Sequence, residues 1–500
     1  MFDRHTAMAA RGTAVDLAAQ TLPGAGSSFS GVRMIARLLS TLALLLVLLA
    51  PHAAAAQDVG QGSGAARRVR AVADSVARAA LERDVMAGMV VFAQRGRDTL
   101  ILRAYGRAEV ENSVPMSVDH VFQFASITKQ FTAAAVLRLV QDGRVALDAP
   151  ITNYLPAAPV RGRTITVRQL LAHTSGLPDY AESPRVGTIK RLDLPPDSLV
   201  ALVMATPFYF EPGDFLRYSN TGFALLGQLI EKLSGKAYAA YVEEEVLRPS
   251  GARSAHFCNP RALVRHLARG YVATPSGLRP ADFVSPYAPW AAGGFCGTVH
   301  DLAAWNAELH ERRGGRILSQ EMYREMVRPA TIRGGRVARY GLGVALSEVA
   351  GRRAVQHGGD IDGFTTFTAY LPDDSLNVTV LINTQGPTRP DAVAGLLVEA
   401  ALGTTRPANT AAPKNLAMFA GKYGGDVEIT EVADGAPALR MKRGPMPPMV
   451  LRYVGRNGAE WVFTDGRSYF AFEAPPASGG QSPAIWADLG VALVRWERDR

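Results

Sequence analysis

Ser126-Ile127-Thr128-Lys129 decides how this chain is read. Lys129 is the only lysine with a serine three positions upstream, and an apolar run follows it through Phe131, Ala134, Ala135, Leu137 and Leu139 until Gly143. That spacing predicts one helix on which Ser126 and Lys129 share a face, hydroxyl and amine within reach. A serine hydroxyl is a poor nucleophile until a nearby base takes its proton. A lysine can do so once burial or a neighbouring cation lowers its pKa from about 10.4. The helix N-terminus favours negative charge developing on the serine oxygen. Serine-x-x-lysine also occurs on solvated helix faces, so other segments must choose between a nucleophile and a surface pair.

Two further segments carry matching chemistry. Tyr218-Ser219-Asn220 is the only tyrosine-x-asparagine in the sequence and stands directly before an apolar helix. A tyrosine hydroxyl beside a lysine loses its proton more easily, because the cation favours phenolate. It could then serve as base for the serine and later for water. Asn220 would hold Lys129 and donate to a substrate carbonyl; taken alone, the triplet is equally a helix start with Asn as cap. His357-Gly358-Gly359-Asp360 precedes a strand that begins at Phe364 and reads as a loop. Its two glycines permit close backbone approach to a ligand.

In this order the three elements resemble the class C β-lactamase and penicillin-recognising serine hydrolase family. Supporting segments are Phe124-Ala125 before Ser126, Leu170-Leu171-Ala172-His173-Thr174-Ser175-Gly176-Leu177, Pro212-Gly213, Ala291-Ala292-Gly293-Gly294 with Asp301-Leu302, and Gly363-Phe364. The resemblance covers roughly residues 66–402. It implies an α+β fold: an antiparallel-type sheet flanked by helices, an all-helical region beside it, and the active site between them. Ser126 would form an acyl-enzyme while Lys129 and Tyr218 manage protons. Asn220, His357, Gly358 and Gly359 would bind substrate, and the backbone N–H groups of Ser126 and Asp360 would form the oxyanion hole. His357 departs from the lysine of the family's Lys-Thr-Gly version. A neutral imidazole holds a substrate carboxylate less firmly than an ammonium, so among esterase, D-amino-acid peptidase and β-lactamase-type hydrolysis the resemblance points toward the first two. His173, in its Thr-Ser-Gly turn, is expected to support the fold.

The remaining sequence sets the frame. At 500 residues, 48% hydrophobic and 20% charged, the composition is globular and the length allows more than one domain. The net charge of +9 comes from scattered arginines without a basic run or nucleic-acid motif, so no nucleic-acid partner is expected. The partner is a small-molecule or peptide substrate. Neither a Gly-x-Ser-x-Gly elbow nor a His-Glu-x-x-His zinc helix occurs. Cys258 and Cys296 match no zinc pattern, and no metal or cofactor is expected; a disulfide and a buried thiol pair both remain open. The alternative to an active hydrolase is a catalytically weak penicillin- or peptidoglycan-binding or sensing protein.

Residues 34–56 read as a signal segment: Arg33 and Arg37 precede an apolar run from Leu38 to Ala50, and small residues Ala53 to Ala56 follow it. That is the pattern of a secretory signal cut before Gln57, which implies a periplasmic or extracellular protein. An uncleaved segment would instead be a membrane anchor through residues 38–50, the one route to membrane contact. Residues 1–33 resemble neither signal nor domain, and translation starting at Met34 is an open alternative. Residues 403–415 are rich in Pro, Thr and Ala and read as a linker. Beyond it, short alternating runs between Gly, Pro and Asp turns predict a small all-β barrel or sandwich over 416–500. The linker composition predicts a separable tail with few contacts to the rest.

Overall fold

The computed structural model describes residues 63–403, 413, 415–432, 438–457, 460–465, 468–476, 480–488 and 492–499. The signal segment, the residues ahead of it and most of the linker lie outside these. Helix α1 (Gly64–Glu82) is capped by Ser63, whose side chain accepts from the Ala66 N–H at 3.3 Å. Strands β1 (Gly88–Arg95) and β2 (Asp98–Glu109) follow, then helix α2 (Thr128–Gln141). Strand β3 (Leu216–Arg217) leads into helix α3 (Asn220–Ser234), which stops at Gly235 in the left-handed conformation. The late part of the chain supplies β4 (Ala345–Val349), β5 (Arg352–Ile361), β6 (Phe364–Leu371), β7 (Leu376–Ile382) and helix α4 (Pro390–Leu402).

These strands make one antiparallel sheet in the order β4-β5-β6-β7-β1-β2, with the short strand Val114–Pro115 at its edge. The first and last parts of the catalytic region thus meet at its centre, where Val91 pairs with Val380. All residues of β6 and β7 are buried, as expected of strands covered on both faces. Side-chain alternation on β1 divides the core. Met89, Val91 and Ala93 join the stripe Val69, Ala73, Ala77 and Ala80 of α1, together with Val393 and Leu397 of α4. Val90 and Phe92 face the helical region built around Phe131, Leu225, Leu229 and Trp305. Both predicted layers are therefore present.

Two elements differ from the sequence reading. The segment His357–Asp360 lies inside strand β5, because pairing with the fully buried β6 supplies order that its Gly-rich, polar sequence does not advertise. The stretch 340–346 also reads in sequence as a strand, yet the strand starts only at Ala345. Gly341-Leu342-Gly343 turns the chain there, with Gly343 at φ +72° and packed on the Lys129 carbonyl. The open question at the cysteines has an answer: Cys258 and Cys296 form a disulfide. It ties the short strand His256–Phe257 to Phe295–Gly297, which in turn pairs with Phe122–Gln123 just before Ser126.

The tail is antiparallel and strand-rich, ending in β8 (Ala492–Glu497), and an isolated bridge from Tyr423 to Arg498 brings its first and last strands together. Its core is aromatic, with Phe419, Tyr423, Phe463, Phe470 and Phe472 buried. The few contacts predicted by the linker are not what is found. β8 pairs with β3, placing Leu493 opposite Leu216, and both pack with Ile332, Ala338 and Tyr340. Arg336 also forms an ion pair with Glu460 and stacks on Trp486. The described residues form one compact unit. Short local runs cannot reveal a long-range strand pairing of this kind.

Candidate active site

Ser126 does not sit on the α-helix itself. It lies on a 3₁₀ turn, Ala125–Ile127, immediately before α2, and Ala125 has φ +49°. A non-glycine residue in that region is strained and persists only where its surroundings hold it. The hold is visible on both sides. Thr366 of β6 donates to the Phe124 carbonyl at 3.0 Å, and the Phe124 N–H donates to the Phe295 carbonyl at 2.9 Å. Gly359 of β5 packs so closely that a Cβ there would stand 2.1 Å from the Phe124 oxygen. Glycine is required at 359 for the strand to approach the serine turn at all. Ser126 remains partly exposed.

Lys129, one turn on, is fully buried. Its Nζ donates to the Ala292 carbonyl and to Asn220 Oδ1, both at 2.8 Å, and lies 3.2 Å from Ser126 Oγ. The carbonyl and the amide oxygen can only accept. A neutral amine would spend its two hydrogens on them and turn its lone pair to the serine hydroxyl. Burial pulls the Lys129 pKa down to about 7, with the Asp179 carboxylate acting in the opposite direction. The Asn220 amide in turn donates from Nδ2 to Asp179 Oδ2 at 2.8 Å.

Tyr218 occupies the other side of the serine. Its hydroxyl is buried and has no hydrogen bond of sound geometry, although the Ser126 hydroxyl is the one group that acts to lower its pKa. Burial drives the phenol far above its ordinary range, and the charge of Asp179 adds to this. Lys129 lies over the ring face, 4.5 Å from its centroid, and not at the oxygen. The expected lysine-stabilised phenolate is therefore not the resting form; Tyr218 is held as a neutral phenol.

Histidines brace this tyrosine. The His173 ring packs on it at 4.2 Å between centroids, and His173 Nδ1 accepts the Ser219 N–H at 3.2 Å. His357 is buried with both ring nitrogens engaged. Nδ1 is 2.6 Å from the Gly358 carbonyl, which can only accept, so Nδ1 carries the hydrogen and Nε2 accepts from the Tyr340 hydroxyl at 2.9 Å. Burial, then the charge of Lys129, brings its pKa down to about 3. It presents neither a cation nor a free N–H, which departs from the expected contact with a substrate carboxylate.

Ser126, Tyr218, His357, Gly358, Gly359 and Asp360 line one cavity of about 750 Å³. Asp465 and Ser468 of the tail line it too, although the tail reads in sequence as an appendage. Sequence reasoning also missed Asp179 and Tyr340. Asp179 carries a signal, standing two residues beyond the His-Thr-Ser-Gly-Leu segment. Tyr340 carries none, since only the glycine turn that follows it brings its hydroxyl to His357. Among the described residues no group of His, Cys, Asp or Glu is placed to hold a metal ion, and no helix is long and apolar enough to cross a membrane.

A sheet between two helical layers, with Ser126, Lys129 and Tyr218 brought together beside it, is the arrangement expected of a serine hydrolase. The chain belongs to the β-lactamase family: the family model of that description matches residues 73–403. Among its relatives is the penicillin-binding protein 4* of Bacillus subtilis (strain 168), 29% identical over 60% of this chain and 68% of that protein. A D-aminopeptidase of Brucella anthropi is 27% identical over 75% of this chain and 71% of its own length. The solved D-amino acid amidase of Ochrobactrum anthropi SV3, complexed with L-phenylalanine amide, superposes with a TM-score of 0.59. It is 25% identical over 67% of this chain and 99% of that one. An octameric penicillin-binding protein homologue from Pyrococcus abyssi has a TM-score of 0.60 at 25% identity, covering 86% of this chain and all of that chain.

Proposed function

We propose that the protein hydrolyses amides of small D-amino-acid substrates through an acyl-enzyme on Ser126, after export from the cytoplasm. The observation that carries this reading is the Lys129 amine, dehydrated, held by two acceptors and aimed at Ser126 Oγ. Neutral Lys129 takes the Ser126 proton as Oγ bonds to the substrate carbonyl carbon. The tetrahedral oxyanion is met by the backbone N–H groups of Ser126 and Asp360, donors worth roughly 3–4 kcal/mol each in comparable sites. Collapse breaks the C–N bond, and the leaving amine receives a proton from the Tyr218 phenol; the phenolate is reprotonated from the Lys129 ammonium through the incoming water, since the amine lies over the ring and not at its oxygen. Water then attacks the ester, its proton passing to neutral Lys129, and the acyl–Oγ bond breaks as Lys129 returns that proton to Ser126 Oγ.

The substrate class follows from what stands at position 357. With His357 neutral and engaged, nothing at that position grips an acidic group, which favours amides and neutral esters over carboxylate-bearing lactams. The names of the relatives, D-aminopeptidase and D-amino acid amidase, favour amides with a D-configured residue on the acyl side. A disulfide is at home in an oxidising compartment, which supports export. The test is a panel of D- and L-phenylalanine amides, p-nitrophenyl acetate and a chromogenic cephalosporin. Ammonia release faster from the D-amide, abolished in Ser126→Ala, is expected. Turnover of the cephalosporin alone would overturn the assignment of substrate.

A further inference from the structure

We propose that Asp179 is a positioning residue for Lys129, acting through Asn220 to keep the amine's lone pair directed at Ser126. The inference rests on the acyl-enzyme reading above and adds the group that sets its base.

A carboxamide is nearly symmetric in shape, so Asn220 by itself does not determine which end faces the lysine. With Nδ2 turned to Lys129, two N–H donors would oppose each other and the amine would lose one acceptor. Asp179 removes the choice. Its carboxylate only accepts, and Oδ2 lies 2.8 Å from Asn220 Nδ2, so Asn220 Oδ1 is forced toward Lys129, also at 2.8 Å. The carboxylate is itself fixed: it is 7% exposed, and Oδ1 accepts the Ala181 N–H at 3.0 Å. The chain Ala181–Asp179–Asn220–Lys129–Ser126 thus runs from the backbone to the nucleophile with donor and acceptor defined at each link. Around Lys129 the other titratable side chains are His173 from the loop after residues 167–171, Tyr218 beside α3, and His357 on β5. Burial holds both histidines and the phenol neutral. Asp179, whose own pKa burial raises, is left as the carboxylate acting on the lysine's charge.

The test is the pH dependence of Ser126 labelling by a fluorophosphonate probe in full-length wild type, Asp179→Asn and Asp179→Glu. An amide at 179 cannot accept from both Ala181 and Asn220, and it lacks the charge that favours the lysine's proton. The acid midpoint of Asp179→Asn should therefore move to lower pH, and its plateau rate should fall roughly 10²-fold, as for a misplaced catalytic group. Asp179→Glu keeps charge and acceptors and should return the midpoint to the wild-type value. If Asp179 only caps the turn at Tyr180–Glu182, Asp179→Asn will melt lower with its midpoint unmoved, and the proposal falls. A wild-type profile flat between roughly pH 5 and 9 removes the lysine base and the proposal with it. Persistent labelling of Ser126→Ala would overturn the acyl-enzyme reading itself, a result separable from any behaviour of the Asp179 variants.

Discussion

Lys129 Nζ stands 3.2 Å from Ser126 Oγ but is fastened at 2.8 Å to the Ala292 carbonyl, on a segment far from the serine in sequence. Ser126 and Lys129 stand one turn apart, yet the Lys129 amine is held by a different part of the fold. Its position therefore depends on packing between α2, α3 and the Trp290–Gly293 turn as well as on local helix geometry.

The first consequence is a pH profile. Lys129 accepts a proton only when neutral, and burial sets its pKa at about 7. Acylation should fall as pH drops through that value and level off above it. Stopped-flow burst kinetics with a p-nitrophenyl ester measures this; a midpoint near 10 would mean that the amine is solvated.

Lys129→Ala and Tyr218→Phe should then separate. The first removes the base and its anchor, and acylation should fall beyond the ~10²–10⁴-fold of a single acid–base group. The second keeps the ring on His173 and removes only the proton relay, so acylation and acyl-enzyme breakdown should both slow by an amount within that range. Single-turnover kinetics on the two variants makes the comparison, and equal losses in both would count against distinct roles.

His357→Lys tests the altered view of that residue. The sequence suggests that an ammonium there would restore the grip on a substrate carboxylate. In the structure it would be buried against Tyr340 and near Lys129, without a counter-ion in the contacts His357 makes. An uncompensated buried charge costs about 3–5 kcal/mol. A lower melting temperature is expected, with no gain in the kcat/KM ratio of cephalosporin to p-nitrophenyl ester. A raised ratio at unchanged stability would return His357 to the substrate.

Ending the chain near Pro413 removes β8 from β3, exposes Leu216 and strips Asp465 and Ser468 from the cavity. Because β3 leads directly into Tyr218, the fragment should aggregate or lose acylation. A soluble, fully active fragment would restore the separable-tail reading.

The motifs that carry chemistry were legible because their spacing is local. Ser126 and Lys129 lie one turn apart, and Tyr218 and Asn220 flank a helix start. The all-buried runs of β6 and β7 likewise announce themselves through Val, Ile, Thr and Phe. What stayed hidden depends on distant pairing. Gly358 and Gly359 look like a loop until β6 is beside them, and β3 is two residues long, defined only by its partner in the tail. Asp179 and Tyr340 act through side chains that no spacing brings together. His357 is conspicuous in sequence but its role is not, since Tyr340 satisfies the nitrogen that would otherwise meet a ligand.

The disulfide between Cys258 and Cys296, 38 residues apart, should contribute roughly 2–4 kcal/mol by constraining the unfolded chain. Cys258→Ser should lower the melting temperature, and non-reducing peptide mapping should find the linked pair. Free thiols at both positions in protein prepared under oxidising conditions would contradict the bridge.

Intact-protein mass spectrometry with a fluorophosphonate probe asks whether Ser126 is the nucleophile. The wild type should carry one adduct per chain, mapped by proteolysis to the peptide containing Ser126. Ser126→Ala of unchanged melting temperature should carry none. An adduct of equal yield in that variant, or one mapped to another residue in the wild type, would contradict that assignment.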